Sequence, residues 1–193
     1  MPKQTFYNLS DEKRENIIGV LKTTFEEKTV FDASVKEIVE KLKIARGSFY
    51  QYFEDLEDAY FMILDLETVD VHQLFIRLYK ENDYNIVKSL ESYRDEISNL
   101  LFSKEAYTLY KNRYLYWTVE LEDRWKKYNQ KKFGDLKNKK VDENLDMEKL
   151  YYIKAFIHNL IQRNFMEKWT KEEFITHFSK YLKWLKEGIE TWQ

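Results

Sequence analysis

The stretch ASVKEIVEKLKIARGSFYQYF, residues 33–53, decides how the rest of the chain is read. Val35, Ile38, Val39 and Leu42 stand at i, i+3, i+4 and i+7, the spacing of one buried helical face. Ile44 follows in a turn of three or four residues, and Phe49 and Phe53, four apart, mark the inner face of a second short helix. Two short helices joined by a tight turn and packed on a longer preceding one make helix-turn-helix geometry. In that geometry the start of the second helix offers side chains to base edges in the major groove. With Phe49 and Phe53 turned inward, Arg46, Gly47, Ser48, Tyr50, Gln51 and Tyr52 remain on the outward and flanking faces. Arg46 can pair with guanine or grip a phosphate, and Gln51 can address adenine. Gly47 costs about 1 kcal/mol relative to Ala inside a helix, and close approach of another molecule to the backbone is a reason to keep it. Charge does not decide the matter, since Lys36, Lys41, Lys43 and Arg46 face only Glu37 and Glu40.

Working outward, Ser10 stands as an N-cap with Asp11 and Glu12 behind it, and Ile17, Ile18, Leu21 and Phe25 carry a helix to about Lys28. On the other side Asp55 caps a fourth helix, whose apolar positions run from Leu56 through Ile63, Leu66 and Leu74 to Leu78. The polar YKENDYN, residues 79–85, breaks the pattern before Ile86, Leu90, Tyr93, Ile97 and Leu100. From Ala106 to Tyr128 the positions Leu109, Tyr110, Tyr114, Trp117, Leu121 and Trp125 predict one long helix or two collinear ones. Residues 129–146 lose periodicity and read as a surface connection. A helix from Met147 to about Lys168 follows, then a last one to Thr191 behind the capping box Thr170 to Glu173. These elements predict an all-α chain. Residues 1–54 form a helix-turn-helix domain, and residues 55–193 a helical domain joined to it through the fourth helix.

Composition agrees. One Pro and four Gly in 193 residues cannot supply the turns of a β-sandwich or barrel. The absence of Cys removes disulfides, thiolate metal sites and a thiol nucleophile. No apolar run reaches the ~18 residues of a membrane span, so a cytoplasmic protein without a membrane partner is expected. The net charge of −2 divides as 9 basic and 8 acidic side chains over residues 1–53 and 23 against 26 beyond, too even to name a partner.

Residues 33–53 resemble the DNA-binding domain of the TetR family of bacterial transcriptional regulators. Glu37 and Ile38 match one part of its pattern, and Arg46, Gly47, Phe49, Tyr50, Tyr52 and Phe53 the other. The likeness is specific from Arg14 to Tyr60. It implies a homodimeric, ligand-responsive repressor bound to a double-stranded DNA operator, with the third helix in the major groove and Tyr50 on a phosphate. The DNA contacts implied are Ser34, Lys36, Ala45, Arg46, Gly47, Ser48, Tyr50, Gln51 and Tyr52. Four positions depart from the pattern. Ala33 replaces a Thr that caps the second helix, for which Asp32 or Ser34 can substitute. Lys43 replaces the turn Gly and so is expected to be left-handed. Ala45 replaces a capping hydroxyl residue, and Leu56 a Lys that meets phosphate. Two lost phosphate contacts weaken sequence-independent affinity and leave open a TetR-like co-regulator with weak or no DNA binding.

The resemblance also implies an inducer among the C-terminal helices and a four-helix dimer seam made by the last two helices of each chain. For the inducer, Tyr110, Tyr114, Trp117 and Leu121 share one predicted face, with Arg113 and Glu120 at its edge and His72 and Tyr93 on neighbouring helices. Aromatic walls of this kind suit an apolar or aromatic small molecule. For the seam, Phe174, Phe178, Tyr181, Leu185, Ile189 and Trp192 form a stripe on the last helix, and Phe156 and Leu160 lie on the helix before it. No catalytic residue, metal site or cofactor is expected. The three histidines, His72, His158 and His177, fall on three predicted helices without useful spacing, and no Gly-rich phosphate loop or Gly-x-Ser-x-Gly occurs.

Overall fold

A computed structural model describes residues 1–104, 106–133 and 146–187 of the chain. Every regular element among the described residues is a helix: α1 Gln4–Tyr7, α2 Asp11–Glu27, α3 Val35–Leu42, α4 Arg46–Tyr52, α5 Leu56–Glu67, α6 Val71–Glu81, α7 Ile86–Leu101, α8 Tyr107–Leu115, α9 Val119–Phe133, α10 Met147–Glu167 and α11 Lys171–Glu187. None is long and apolar enough to cross a membrane. Two compact units emerge. The first holds Met1–Thr68 and residues 116–133, the second Val69–Leu115 and residues 146–187.

In the first unit, Leu21 and Phe25 of α2, Ile38 of α3, Phe49 of α4 and Tyr60 and Ile63 of α5 are all buried. Each such side chain contributes roughly 1.5–3 kcal/mol on burial, so the two short helices are held by their inner faces. Residues 4–7, too few to show a period, form α1, whose buried Phe6 meets the Phe53 ring at 5.3 Å. From α9, Trp125 and Tyr128 close on Phe61 at ring separations of 5.3 and 5.7 Å. The core of the second unit joins Phe75 and Leu78 of α6, Tyr93 and Ile97 of α7, Tyr110 of α8, Leu160 and Ile161 of α10 and Phe174 and Phe178 of α11.

One expected helix is interrupted, and another segment takes the divided form of its two alternatives. The fourth helix ends at Glu67: Thr68 turns extended, its hydroxyl donating to the Leu64 carbonyl, and the Asp70 carboxylate accepts from the His72 and Gln73 amides to start α6. Thr and Asp offer the backbone local partners outside a helix, and here they outweigh the apolar period. The segment from 106 to 128, expected as one long helix or two, divides at residues 116–118, where the Thr118 hydroxyl accepts from the Leu121 amide and starts α9. Met147–Glu167 stands as expected, and the Thr170 to Glu173 capping box forms in both directions, at 3.2 and 2.7 Å. Gly134 and most of the expected surface connection, and the end of the last helix with Ile189 and Trp192, lie outside the described residues.

Candidate functional site

The turn between α3 and α4 is built by backbone chemistry that the sequence departures made uncertain. Ser34 replaces the missing Thr: its hydroxyl accepts from the Glu37 amide at 3.3 Å. Lys28 donates to the Glu37 carboxylate at 2.8 Å, and that hydrogen bond holds the carboxyl below its ordinary range. Lys43 is left-handed, φ 54° and ψ 41°. Its amide reaches the Glu40 carbonyl and the Ile44 amide reaches the Val39 carbonyl, so the last turn of α3 closes without glycine.

Ala45 takes the N-cap position of α4 in an extended conformation, with no side-chain cap. Phe49 and Phe53 are buried with rings 5.2 Å apart. The opposite face carries Ala45, Arg46, Gly47, Tyr50 and Gln51, all exposed, with Ser48 and Tyr52 half-buried at its flanks and Ser34 and Lys36 exposed on α3 and its cap. Arg46 lies over the Tyr50 ring, 5.9 Å from its centre, and donates to its hydroxyl at 3.4 Å, so the two side chains present one cationic, hydrogen-bonding edge. A Cβ at Gly47 would meet nothing within 4 Å, so packing inside this chain does not require glycine there. Leu56 is half-buried and supplies no charge at the start of α5. All nine residues expected at DNA therefore lie on the exposed and flanking surface of α3 and α4.

The aromatic face expected on one helix is divided by the break at residues 116–118. Tyr110 and Tyr114 stay on α8 in the second unit, where Tyr93 joins them. Trp117 and Leu121 belong to the first unit, with Trp117 6.1 Å from Phe61, and Glu120 is exposed there. The expectation of a single face from Tyr110 to Leu121 is thus corrected. In the second unit burial pushes the Tyr93, Tyr110 and Tyr114 phenols up. The Tyr110 hydroxyl accepts from the Val69 amide at 2.8 Å and lies 3.3 Å from the Val69 carbonyl. The Tyr93 hydroxyl and both amide atoms of Asn164 are buried with no hydrogen-bond partner among the described residues.

Beside these tyrosines is a group that spacing could not reveal. The Nε2 atoms of His72 and His158, 86 residues apart, meet at 2.6 Å, and the Asp70 carboxylate stands 3.3 Å from His72 Nδ1. Burial opposes the charge on Asp70, but hydrogen bonds from the His72 side chain and backbone, with the Arg113 charge, hold its carboxyl well below the usual range. Tyr114 sets its edge on His158 at 5.4 Å. His72 also borders a half-open groove of about 200 Å³, lined by Val71, Phe75, Leu150, Ile153 and Ile157. No group of three or more metal-ligating side chains occurs among the described residues.

The expected dimer stripe also needs correction. Leu160, Phe174 and Phe178 are 0–1% exposed in the single chain, so they pack its own core and have no surface to offer a second copy. Phe156, Tyr181 and Leu185 are half-buried against that core. The exposed uncharged row on α10 is instead Tyr152, Ala155, Asn159, Gln162 and Met166, with Tyr152 63% and Met166 64% exposed.

A chain whose described elements are all helical and whose first unit presents a helix-turn-helix surface belongs to the class of helix-turn-helix proteins. The comparisons narrow this. The family profile described as "Tetracyclin repressor, C-terminal domain" matches residues 86–188, more than half of the chain, and the chain belongs to the TetR family. No curated protein matches it. Three solved structures share the fold. A TetR family transcriptional regulator from Chloroflexus aurantiacus is 21% identical, over 97% of this chain and 98% of that one, with a TM-score of 0.50. NalD, the secondary repressor of the MexAB-OprM multidrug efflux pump in Pseudomonas aeruginosa, is 16% identical over 90% and 96%, with a TM-score of 0.61. The fatty acid degradation regulator FadR from Bacillus halodurans is 14% identical over 91% and 96%, with a TM-score of 0.53.

Proposed function

We propose that the chain is a cytoplasmic, homodimeric repressor that binds a double-stranded DNA operator through α4 and leaves it when a small apolar or aromatic molecule binds among the C-terminal helices. Residues 1–54 read DNA in this proposal, and residues 55–193 hold the effector and the second copy. The observation that carries it is the surface of α4: Arg46 braced on Tyr50, Gln51 beside them, and Gly47 with open space over its Cα. Arg46 addresses a guanine or a phosphate, Gln51 addresses adenine, and Tyr50 donates to phosphate. Ser34 and Lys36 meet the backbone from α3. A two-fold pair of such helices reads half-sites about 34 Å apart, so operator affinity depends on their separation. The Chloroflexus protein is a transcriptional regulator and NalD a repressor, which supports the same role here.

Tyr93, Tyr110 and Tyr114 form the effector site in this reading. The unpartnered Tyr93 hydroxyl and Asn164 amide are the polar atoms that an apolar ligand with one polar group would satisfy. Such a ligand, by competing for the Tyr110 hydroxyl, would release the Val69 peptide that follows α5. It shifts the DNA equilibrium only so far as it binds the two states differently. The dimer seam is formed by the α10 row from Tyr152 to Met166 with Phe156, Tyr181 and Leu185. A two-fold contact uses the same patch on both copies.

The test is a gel shift of the purified protein on the intergenic DNA flanking its own gene. Arg46→Ala is expected to weaken binding by about 10- to 100-fold, the worth of one good base contact. No shift at low salt, or an unchanged shift in the variant, would favour a TetR-like co-regulator, the reading to which the uncapped Ala45 and the uncharged Leu56 already lean.

A further inference from the structure

A helix leaves its last four carbonyls without partners of its own, and a helix of seven residues has few other bonds to hold it. That is the condition of α4. At its start Ala45 adds no side-chain acceptor, and Gly47 lowers its helix propensity further. Phe49 and Phe53 fix the helix to the core by their side chains, but its terminal carbonyls still need closure from outside the helix.

The N-terminal residues provide it. The Lys3 amide donates to the Tyr52 carbonyl at 2.8 Å, the Lys3 ammonium donates to the Tyr50 carbonyl at 2.7 Å, and the Thr5 hydroxyl donates to the Gln51 carbonyl. Three consecutive terminal carbonyls are thus closed by residues 46 and more positions away in the chain. The ammonium also opposes the negative end of the helix dipole. Phe6 holds this segment in register through ring contacts with Tyr52 and Phe53. Tyr50 and Gln51 are therefore gripped by their carbonyls while their side chains stay exposed.

We propose that Lys3 and Thr5 are positioning residues for DNA reading, closing the end of α4 so that Arg46, Tyr50 and Gln51 are presented in one arrangement. The inference rests on α4 being the DNA-reading helix. Neither residue needs to touch DNA for this role.

The test uses the full chain and the variants Thr5→Val, Thr5→Ser and Lys3→Met. Two quantities are read: amide hydrogen exchange at residues 50–53 without DNA, and DNA affinity across a range of salt. In Thr5→Val one hydrogen bond is lost, and exchange at these amides should rise about 5- to 10-fold, with the amides of Leu21 and Phe25 in α2 unchanged. DNA affinity should fall by a similar factor, and Thr5→Ser should restore both. Lys3→Met should act in the same direction and leave the salt slope as it was. A slope shallower by about one unit would place Lys3 on a phosphate and overturn its positioning role. Unchanged exchange in Thr5→Val overturns the capping, whether or not DNA binds. Faster exchange with full DNA affinity overturns the link from capping to reading. If the wild type binds no DNA at any salt, the regulator reading falls and the DNA half of this proposal with it, while the exchange rates still decide the capping.

Discussion

In α3 and α4 the polar side chains face solvent and the buried face is Ile38, Val39, Leu42 and Phe49. In the second unit the reverse holds: Tyr93 and Asn164 carry into the core three polar atoms without a partner among the described residues, and Asp70, His72 and His158 run as a hydrogen-bonded chain at its edge. The proposed reading surface can therefore be altered with little effect on stability, because the residues that hold it, Ser34 apart, are not those assigned to DNA. An interior site has no such separation. Its polar groups lower the stability of the core that contains them, and that cost is what the proposed ligand would offset.

The largest expected effect lies in that core. Phe178→Ala removes a side chain 1% exposed against Phe156, Phe174 and Tyr93, and should cost about 3–5 kcal/mol in chemical denaturation. The loss should be independent of protein concentration. A loss that vanished on dilution would return Phe178 to the dimer seam. Asn164→Leu replaces an unpartnered amide by an apolar side chain of similar size, and is expected to stabilise the fold by about 1–3 kcal/mol. Destabilisation by that amount would mean the amide is satisfied, and the contrast between the regions would weaken. In the reader, Ser34→Ala removes the α3 cap, with an expected cost of about 1 kcal/mol by thermal melting.

The smallest effect is in acid. Asp70 is held below its unfolded pKa, so its contribution to stability is present above about pH 4 and lost as pH falls through the lower folded value. The difference in melting temperature between wild type and Asp70→Asn should accordingly shrink as pH is taken from about 5 to about 2. A difference constant across that range would mean that the charge on Asp70 contributes nothing.

How much of this was legible follows from the range of each interaction. Local chemistry reads well: the Asp55 cap and the Thr170 to Glu173 box follow from residues within four positions of one another, while the left-handed Lys43 and the Ser34 cap follow from departures from the family pattern. Periodicity reads less well, because it shows that a face is buried without showing what covers it. Phe174 and Phe178 fit a dimer stripe and a monomer core equally until the burial is seen. The breaks after Glu67 and Leu115 were signalled by Thr68, Asp70 and Thr118, but the apolar period continued across them and masked the signal. The meeting of His72 with His158 has no sequence signature, since it depends on how α6 and α10 pack.

The tryptophans give this protein an optical property of its own. In the first unit Trp117 and Trp125 are 6.2 Å apart beside Phe61. In the second, Trp169 stacks on His177 at 4.0 Å and Trp184 on Tyr181 at 5.3 Å. The two sets of indoles belong to different units. Replacing Trp169, Trp184 and Trp192 by Phe, or Trp117 and Trp125, would therefore let fluorescence follow one unit at a time without an added label.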